Sequence, residues 1–184
     1  MQLKKTTWIL MITALVLSGW VALSGEFQKR QEIKNSAAQK IFNVEEDQIR
    51  KIMINQKDLT LEFEAILDQE NSWSMVQPEK TLADDAAISF LTELLVSGTS
   101  DRVITLNHNS LAEYGLDQPI ATITFVTTDG KTHKIRLGKS TIGDRFIYAQ
   151  IFDQTKANNS LLLVSKNWQY AVDRDYQEWK REID

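Results

Sequence analysis

An uncharged apolar run near the N-terminus places the strongest constraint on how this chain can fold. Residues 8–25 read WILMITALVLSGWVALSG, 18 residues without a charged side chain. Thr6 and Thr7 extend the uncharged run to 20 residues. A helix of that length rises ~1.5 Å per residue and crosses a hydrocarbon core of about 30 Å. Because the run is apolar on all sides, a helix here needs burial all round, which a membrane provides and a small domain does not. The sequence therefore predicts a transmembrane helix over residues 8–25.

The residues that flank this run favour one orientation in the membrane. Two lysines precede it, whereas three basic residues follow it within ten positions. With the free N-terminal amine, the positive-inside rule places residues 1–7 in the cytoplasm by a narrow margin. Indole rings near both ends of the run favour the membrane interface. The side chains expected to anchor the helix are Trp8, Ile9, Leu10, Leu15, Leu17, Trp20 and Leu23.

A cleavable signal peptide is the competing interpretation of the same segment. Ala22-Leu23-Ser24 resembles the small-x-small pattern that precedes a cleavage site. The apolar run is longer than the usual 7–15 residues of a signal peptide, and bulky Trp20 lies close to the cleavage point. We therefore favour a retained anchor, and cleavage after Ser24 remains the alternative.

Charge and composition limit the functions of the remaining chain. Residues 1–30 carry four basic residues against one acidic residue, a net charge of +3. The rest of the chain therefore has a net charge of −7, and the two sum to the total of −4. An acidic domain is a poor ligand for nucleic acid, because phosphate binding needs a basic surface. The chain has no cysteine, which excludes disulfides and thiolate metal sites. We predict a polar stalk over residues 26–42 and one soluble domain over residues 43–184, long enough to form a core.

Alternation of apolar and polar side chains predicts the strands. Leu59, Leu61 and Phe63 alternate with polar residues, the period of two that a half-buried strand shows. Asp129-Gly130 between two alternating runs indicates a tight hairpin. The predicted strands are Ile49–Asn55, Leu59–Ile66, Ser72–Val76, Arg102–Leu106, Ala121–Thr127, Lys131–Leu137, Phe146–Phe152 and Leu161–Val164.

Helical periodicity predicts two main helices and one short helix. Asp84–Ser97 carries an apolar stripe and ends at Gly98, and a short helix ends at Gly115. A final helix is predicted after Ser165, with several large apolar side chains through Trp179 on one face. Runs of strands separated by single helices predict an α+β fold. In this fold the N-terminal transmembrane helix precedes a mostly antiparallel sheet, built of hairpins and a meander and packed with two main helices.

The residues that could carry chemistry form no recognised catalytic or metal-binding motif. His108 and His133 lack the spacing of a zinc site. Asp84-Asp85 opens the predicted helix, where carboxylates bind the free N–H groups. Glu45-Glu46-Asp47 is interpreted as a solvated surface. No phosphate-binding loop, nucleophile elbow or dinucleotide-binding fingerprint occurs. We therefore predict no catalytic residue, no cofactor and no metal site.

The C-terminal aromatic residues allow two interpretations. Trp168 and Trp179 are 11 residues apart, which places them on one face of a continuous helix. Packing of this face against the sheet is the simpler interpretation. The functional interpretation is that Trp168, Tyr176 and Trp179 bind a membrane partner or the bilayer surface.

Several short segments together resemble the DUF4340 family. They are LAEYGLDQP at residues 111–119, ATI at 121–123, the Asp129-Gly130 turn, IRLG at 135–138 and YAQ at 148–150. The chain is most similar to the short cyanobacterial members, which have an N-terminal apolar helix and one such domain, and the similarity covers residues 40–180. The resemblance is not specific for an activity, because it supplies no established catalytic residues to carry over. In physical terms these residues are scaffold, with Gly115 ending a helix, Pro119 starting a strand and Gly138 ending the next strand.

The anchor, the acidic domain and the lack of catalytic groups together predict a non-enzymatic accessory, assembly or scaffold protein. Its periplasmic or thylakoid-lumenal domain is expected to bind another integral membrane protein. A periplasmic or lumenal module that binds a small ligand in a closed apolar pocket is the first alternative. A hydrolase that uses carboxylates such as Asp84 and Asp85 is the second.

Overall fold

The computed structural model of the chain describes residues 39–67, 72–105, 111–152 and 160–182. The predicted transmembrane helix, His108 and most of the predicted stalk lie outside these ranges. Within the described ranges, no helix has the length and apolarity needed to cross a membrane.

The described residues form one sheet of ten strands in which every neighbouring pair is antiparallel. The strand order is β1-β6-β10-β9-β8-β7-β2-β3-β4-β5. Their bounds are β1 Gln39–Lys40, β2 Ile49–Asn55, β3 Thr60–Ala65, β4 Trp73–Gln77, β5 Thr81–Leu82, β6 Thr99–Thr105, β7 Ala121–Thr127, β8 Thr132–Ser140, β9 Phe146–Phe152 and β10 Ser160–Ser165. The predicted antiparallel α+β architecture is confirmed for this part of the chain.

The main hydrophobic core lies on one face of this sheet. In β7, Ala121, Ile123 and Phe125 are fully buried, whereas the residues between them are half-buried. The same alternation places Ile52 and Ile54 of β2 in the core. Since side chains of a strand alternate between the two faces of a sheet, one face faces the core and the other does not.

Helix α1, Asp85–Ser97, and helix α2, Asn167–Val172, supply the second layer of this core. In α1, the stripe residues Ala87, Leu91, Leu94 and Leu95 are buried and Phe90 is half-buried, which confirms the predicted apolar stripe; Ile88 is buried beside them. Gly98 ends α1, and its N–H donates to the Leu94 carbonyl at 3.0 Å. The helix and both of its ends therefore follow the sequence pattern.

The predicted long C-terminal helix is wrong. Helix α2 ends at Val172, and Tyr176–Trp179 forms a separate 3-10 helix. The Gln56 side-chain amide donates to the Val172 carbonyl at 3.0 Å, which satisfies a group that a longer helix would use. The bend lets Trp179 pack 5.3 Å from the Phe63 ring, while Arg181 pairs with the backbone of Leu82. Tertiary burial thus overrides the helical period.

The loop after β6 forms a smaller cluster on the opposite face of the sheet. Leu116 and Leu161 are fully buried there, with Tyr114 and Tyr148 packed beside them at 4.8 Å between ring centroids. Gly115 has a φ of 68°, the left-handed conformation that ends the short helix as predicted. This cluster covers the face of the sheet over parts of β9 and β10.

Two local predictions need correction. Gly138 does not end a strand, because β8 continues to Ser140. A Cβ atom at Gly138 would lie 2.2 Å from the Tyr114 carbonyl oxygen, so only glycine lets the backbone of Tyr114 approach β8 this closely.

The sheet begins at Gln39 and not at residue 43. Phe42, predicted to be part of the stalk, is buried in the core. The Asp129-Gly130 hairpin is confirmed, with the Gly130 N–H bonded to the Thr127 carbonyl.

Candidate functional site

A groove lined by aliphatic and polar side chains opens at the β1–β6 corner of the sheet. Val103 of β6 lies opposite Leu162 of β10, so both side chains point to the helix-bearing face. Leu162 is buried, but Val103 is 43% exposed. The groove measures about 200 Å³, and its apolar lining is completed by Ile41 and Ile151. We call this the corner groove. It is a place where the hydrophobic core reaches the surface beside the first residues of the sheet.

The face of the sheet that the helices do not cover forms a second surface. We call the outward side of β2, β3, β7 and β8 the open face. Its side chains are half-buried or exposed except Glu62, which is 8% exposed. The open face consists of Lys51, Met53, Asn55, Thr60, Glu62, Glu64, Thr122, Thr124, Val126, Thr132, Lys134 and Arg136.

Charge is distributed unevenly across the open face. At one side, the Lys51 ammonium lies 2.5 Å from Glu62 and 3.3 Å from Glu64. The hydrogen bond to Glu62 raises the pKa of Lys51. At the other side, no described carboxylate lies within 4.0 Å of Lys134 or Arg136. One side is therefore net acidic and the other side net basic.

On the basic side of the open face, Lys134 and Arg136 both contact the ring of Phe152. The Arg136 guanidinium lies 4.7 Å from the centroid of Phe152, and the Lys134 ammonium lies 6.0 Å from it. This cation–π arrangement holds both charges close to the sheet. Gln150, opposite Arg136 in the register, is buried with its Oε1 atom unbonded.

Two larger cavities, of about 470 Å³ and 540 Å³, lie beside the C-terminal 3-10 helix. Both are lined mainly by charged side chains, unlike the apolar pocket expected of a small-ligand module. The Tyr176 hydroxyl donates to Glu79 at 2.7 Å, and Lys180 donates to the same oxygen at 2.9 Å. These contacts lower the pKa of Glu79, and burial with the Glu79 bond raises the pKa of Tyr176 to about 12. Through these contacts, Tyr176 and Lys180 bind the C-terminal 3-10 helix region to Glu79, which lies between β4 and β5.

The three aromatic residues considered for partner binding lie in different environments. Trp168 is 1% exposed and Trp179 is fully buried, so their indole rings form part of the core. Tyr176 is half-buried, and its hydroxyl is occupied by Glu79. These rings therefore do not form one exposed stripe on the surface.

The carboxylates considered for chemistry have structural partners. The Asp84 carboxylate accepts the Ala87 N–H at 2.7 Å, which confirms that it caps α1. Asp85 pairs with Arg181 at 2.5 Å. His133 stacks on Phe125 at 4.7 Å between ring centroids. Among the residues that the structure describes, no three His, Cys, Asp or Glu side chains are grouped as a metal site would require.

Sequence reasoning missed both surfaces just described. The corner groove depends on a two-residue strand, β1, which is too short to show a period. The basic side of the open face was visible in principle, because Lys134 and Arg136 alternate with buried residues of β8. What the sequence alone did not show was which strands lie beside β8.

A family model described as a domain of unknown function, DUF4340, matches residues 73–182. The chain belongs to the DUF4340 family. The matched range of the DUF4340 domain begins at β4 and includes both helices and the C-terminal 3-10 helix. Strands β1, β2 and β3 precede it, although they belong to the same sheet. No curated protein and no solved structure matches the chain.

Proposed function

We propose that this DUF4340 protein is a non-enzymatic, membrane-anchored accessory or assembly protein whose sheet domain binds another integral membrane protein. We place it among the short single-domain members of cyanobacterial type, with residues 8–25 as its membrane anchor. The domain then lies in the periplasm or the thylakoid lumen. The observation that carries the proposal is the corner groove, which opens beside Gln39.

The position of the groove supports this choice of partner. Thirteen residues separate Gly25, the end of the predicted span, from Gln39. A fully extended chain of that length reaches at most about 45 Å. With residues 8–25 as the proposed anchor, a linker of that length keeps the domain tethered to the membrane, so that another membrane protein is a partner within reach.

The chemistry of the groove supports an apolar contact. Val103, Ile151 and Leu162 present aliphatic side chains to a volume of about 200 Å³, which suits one or two partner side chains. Covering such a surface stabilises a complex by about 25 cal/mol for each Å² of apolar area removed from water. Polar residues Gln39, Lys40 and Ser160 also line the groove, so a partner would contact polar groups beside the aliphatic side chains.

The experiment compares two matched substitutions in the full chain. Val103 and Leu82 are 43% and 42% exposed and lie near opposite ends of the sheet. The chain is purified in mild detergent as the natural sequence, as Val103→Asp and as Leu82→Asp. We expect the natural chain and Leu82→Asp to retain a stoichiometric membrane protein that Val103→Asp loses. Purification of the natural chain without any partner, or equal loss in both variants, would contradict the proposal.

A further inference from the structure

The open face of the sheet carries a charge pattern that is complementary to itself. The strand register sorts its twelve side chains into three rows that run across four strands. The first row, from β8 to β3, is Lys134, Thr124, Met53 and Glu62. The second row is Arg136, Thr122, Asn55 and Thr60. The third row is Thr132, Val126, Lys51 and Glu64.

Two copies of this face can be placed against each other by a two-fold axis parallel to the strands. An axis that runs between β7 and β2 reverses the order of strands and keeps each row in register. In the first row, Lys134 then faces Glu62 of the second copy, and Thr124 faces Met53 of the second copy. In the second row, Arg136 faces a threonine hydroxyl. A two-fold contact makes each of these pairs twice.

The remaining row agrees with the same arrangement. Thr132 faces Glu64 of the second copy, and Val126 faces the aliphatic part of Lys51 of the second copy. No row places like charges opposite each other. An axis perpendicular to the strands would instead place β8 on β8, which brings the Lys134 and Arg136 side chains of the two copies close together, and like charges so placed are repulsive.

We infer that the open face is a homodimer interface, in which a second copy of this chain packs by aligned sheet-on-sheet contact. Aligned packing of two antiparallel sheets is a common arrangement, with the sheets about 10 Å apart. The corner groove opens on the helix-bearing face, so the dimer leaves it accessible. The homodimer is thus independent of the partner proposed above.

The size of the face sets the strength of the dimer. Four strands about 4.8 Å apart and three residues about 6.8 Å apart along each strand give a flat area on the order of 400 Å². Stable interfaces bury about 800 Å² on each partner, so this dimer is weak in solution. Confinement of both copies to one membrane raises their effective concentration and favours the dimer.

Cysteine cross-linking tests the geometry directly, because the chain has no cysteine of its own. In the dimer, the two Thr124 positions lie about 11 Å apart across the axis, by the spacing of strands and sheets. The full chain carrying Thr124→Cys is treated with a bismaleimide of that reach, in mild detergent and in membranes. The matched control is Ser89→Cys, an exposed position on α1 at the helix-bearing face. We expect a cross-linked dimer from the first variant and not from the second.

Charge reversal tests the pairing. Lys134→Glu in the Thr124→Cys chain places two carboxylates opposite each other at both related contacts, and we expect the dimer to weaken by about tenfold. Adding Glu62→Lys to the same chain reverses both partners and is expected to restore cross-linking. Circular dichroism confirms that each variant is folded. Thr122→Arg in the Thr124→Cys chain, which blocks the face beside the axis by size, replaces any variant that is not folded.

Three results would overturn the inference. They are equal cross-linking of the Thr124 and Ser89 variants, no effect of Lys134→Glu, and no cross-linked dimer from the Thr124→Cys chain in membranes, where confinement raises the effective concentration. Capture of the membrane partner through Val103 is measured in the same preparations. If the cross-linked dimer is absent and the membrane partner is still captured, only the homodimer is refuted. If the membrane partner is not captured and the dimer persists, only the accessory function is refuted.

Discussion

Replacement of Trp179 by alanine is the sharpest test of the core. The side chain is fully buried and packs 5.3 Å from the Phe63 ring. A buried indole removes about 150–250 Å² from water, which at about 25 cal/mol per Å² corresponds to about 4–6 kcal/mol. Alanine retains part of that area, and measured substitutions of large aromatic residues by alanine cost about 3–5 kcal/mol. We expect Trp179→Ala to lower the free energy of unfolding by about 4 kcal/mol, a large part of the total for one domain.

The assay is urea unfolding of a fragment of residues 38–184, which form one compact unit, followed by far-ultraviolet circular dichroism. With a dependence of about 2 kcal/mol per molar urea, the midpoint of unfolding should fall by about 2 M. The control is Tyr170→Ala, because Tyr170 is 55% exposed and its loss should cost less than about 0.5 kcal/mol. If Trp179→Ala costs less than about 1 kcal/mol, the ring is not in the core and the C-terminal fold is wrong.

Three further predictions concern caps, turns and pH. Asp84→Ala removes the bond to the Ala87 N–H and should lower the free energy of unfolding in urea by about 1 kcal/mol. Asp84→Asn can still accept this bond and should keep most of the stability. Gly115→Ala places a side chain at a φ of 68° and should lower the free energy of unfolding by about 1–2 kcal/mol. An unfolding midpoint equal to or higher than that of the natural chain would contradict the left-handed turn. The pKa of Tyr176 is raised to about 12 in the folded chain, from about 10 when unfolded. The stability that the Tyr176 hydroxyl contributes is therefore complete below pH ~10 and is lost as the pH rises toward 12. In Tyr176→Phe, the free energy of unfolding should not show this decrease between pH ~10 and 12.

The sequence predicted those elements whose residues determine their own structure. The strand at Ala121–Thr127 and the helix ending at Gly98 follow from local alternation and from a clear end signal. The left-handed Gly115 followed from its position after a short helix. In each case the local preference and the tertiary environment agree, which is the condition under which periodicity is informative.

The elements that the sequence did not predict depend on partners distant in the chain. The two-residue strands β1 and β5 exist because β6 and β4 offer them hydrogen bonds. Helix α2 ends at Val172, where the side chain of Gln56, 116 residues earlier, satisfies a terminal carbonyl. The candidate surfaces are of the same kind, since the pairing of Val103 with Leu162, and of Lys134 with Thr124, is a property of strand order.

Our central proposal is that the corner groove binds an integral membrane protein. The most direct measurement is site-specific photo-cross-linking in intact membranes, with a photoreactive amino acid at Val103 and, as the matched control, at Leu82. We expect one dominant adduct from position 103, containing a membrane-spanning protein, and none from position 82. The absence of any adduct from position 103 at natural expression levels, or the same adducts from both positions, would contradict the proposed binding at the corner groove.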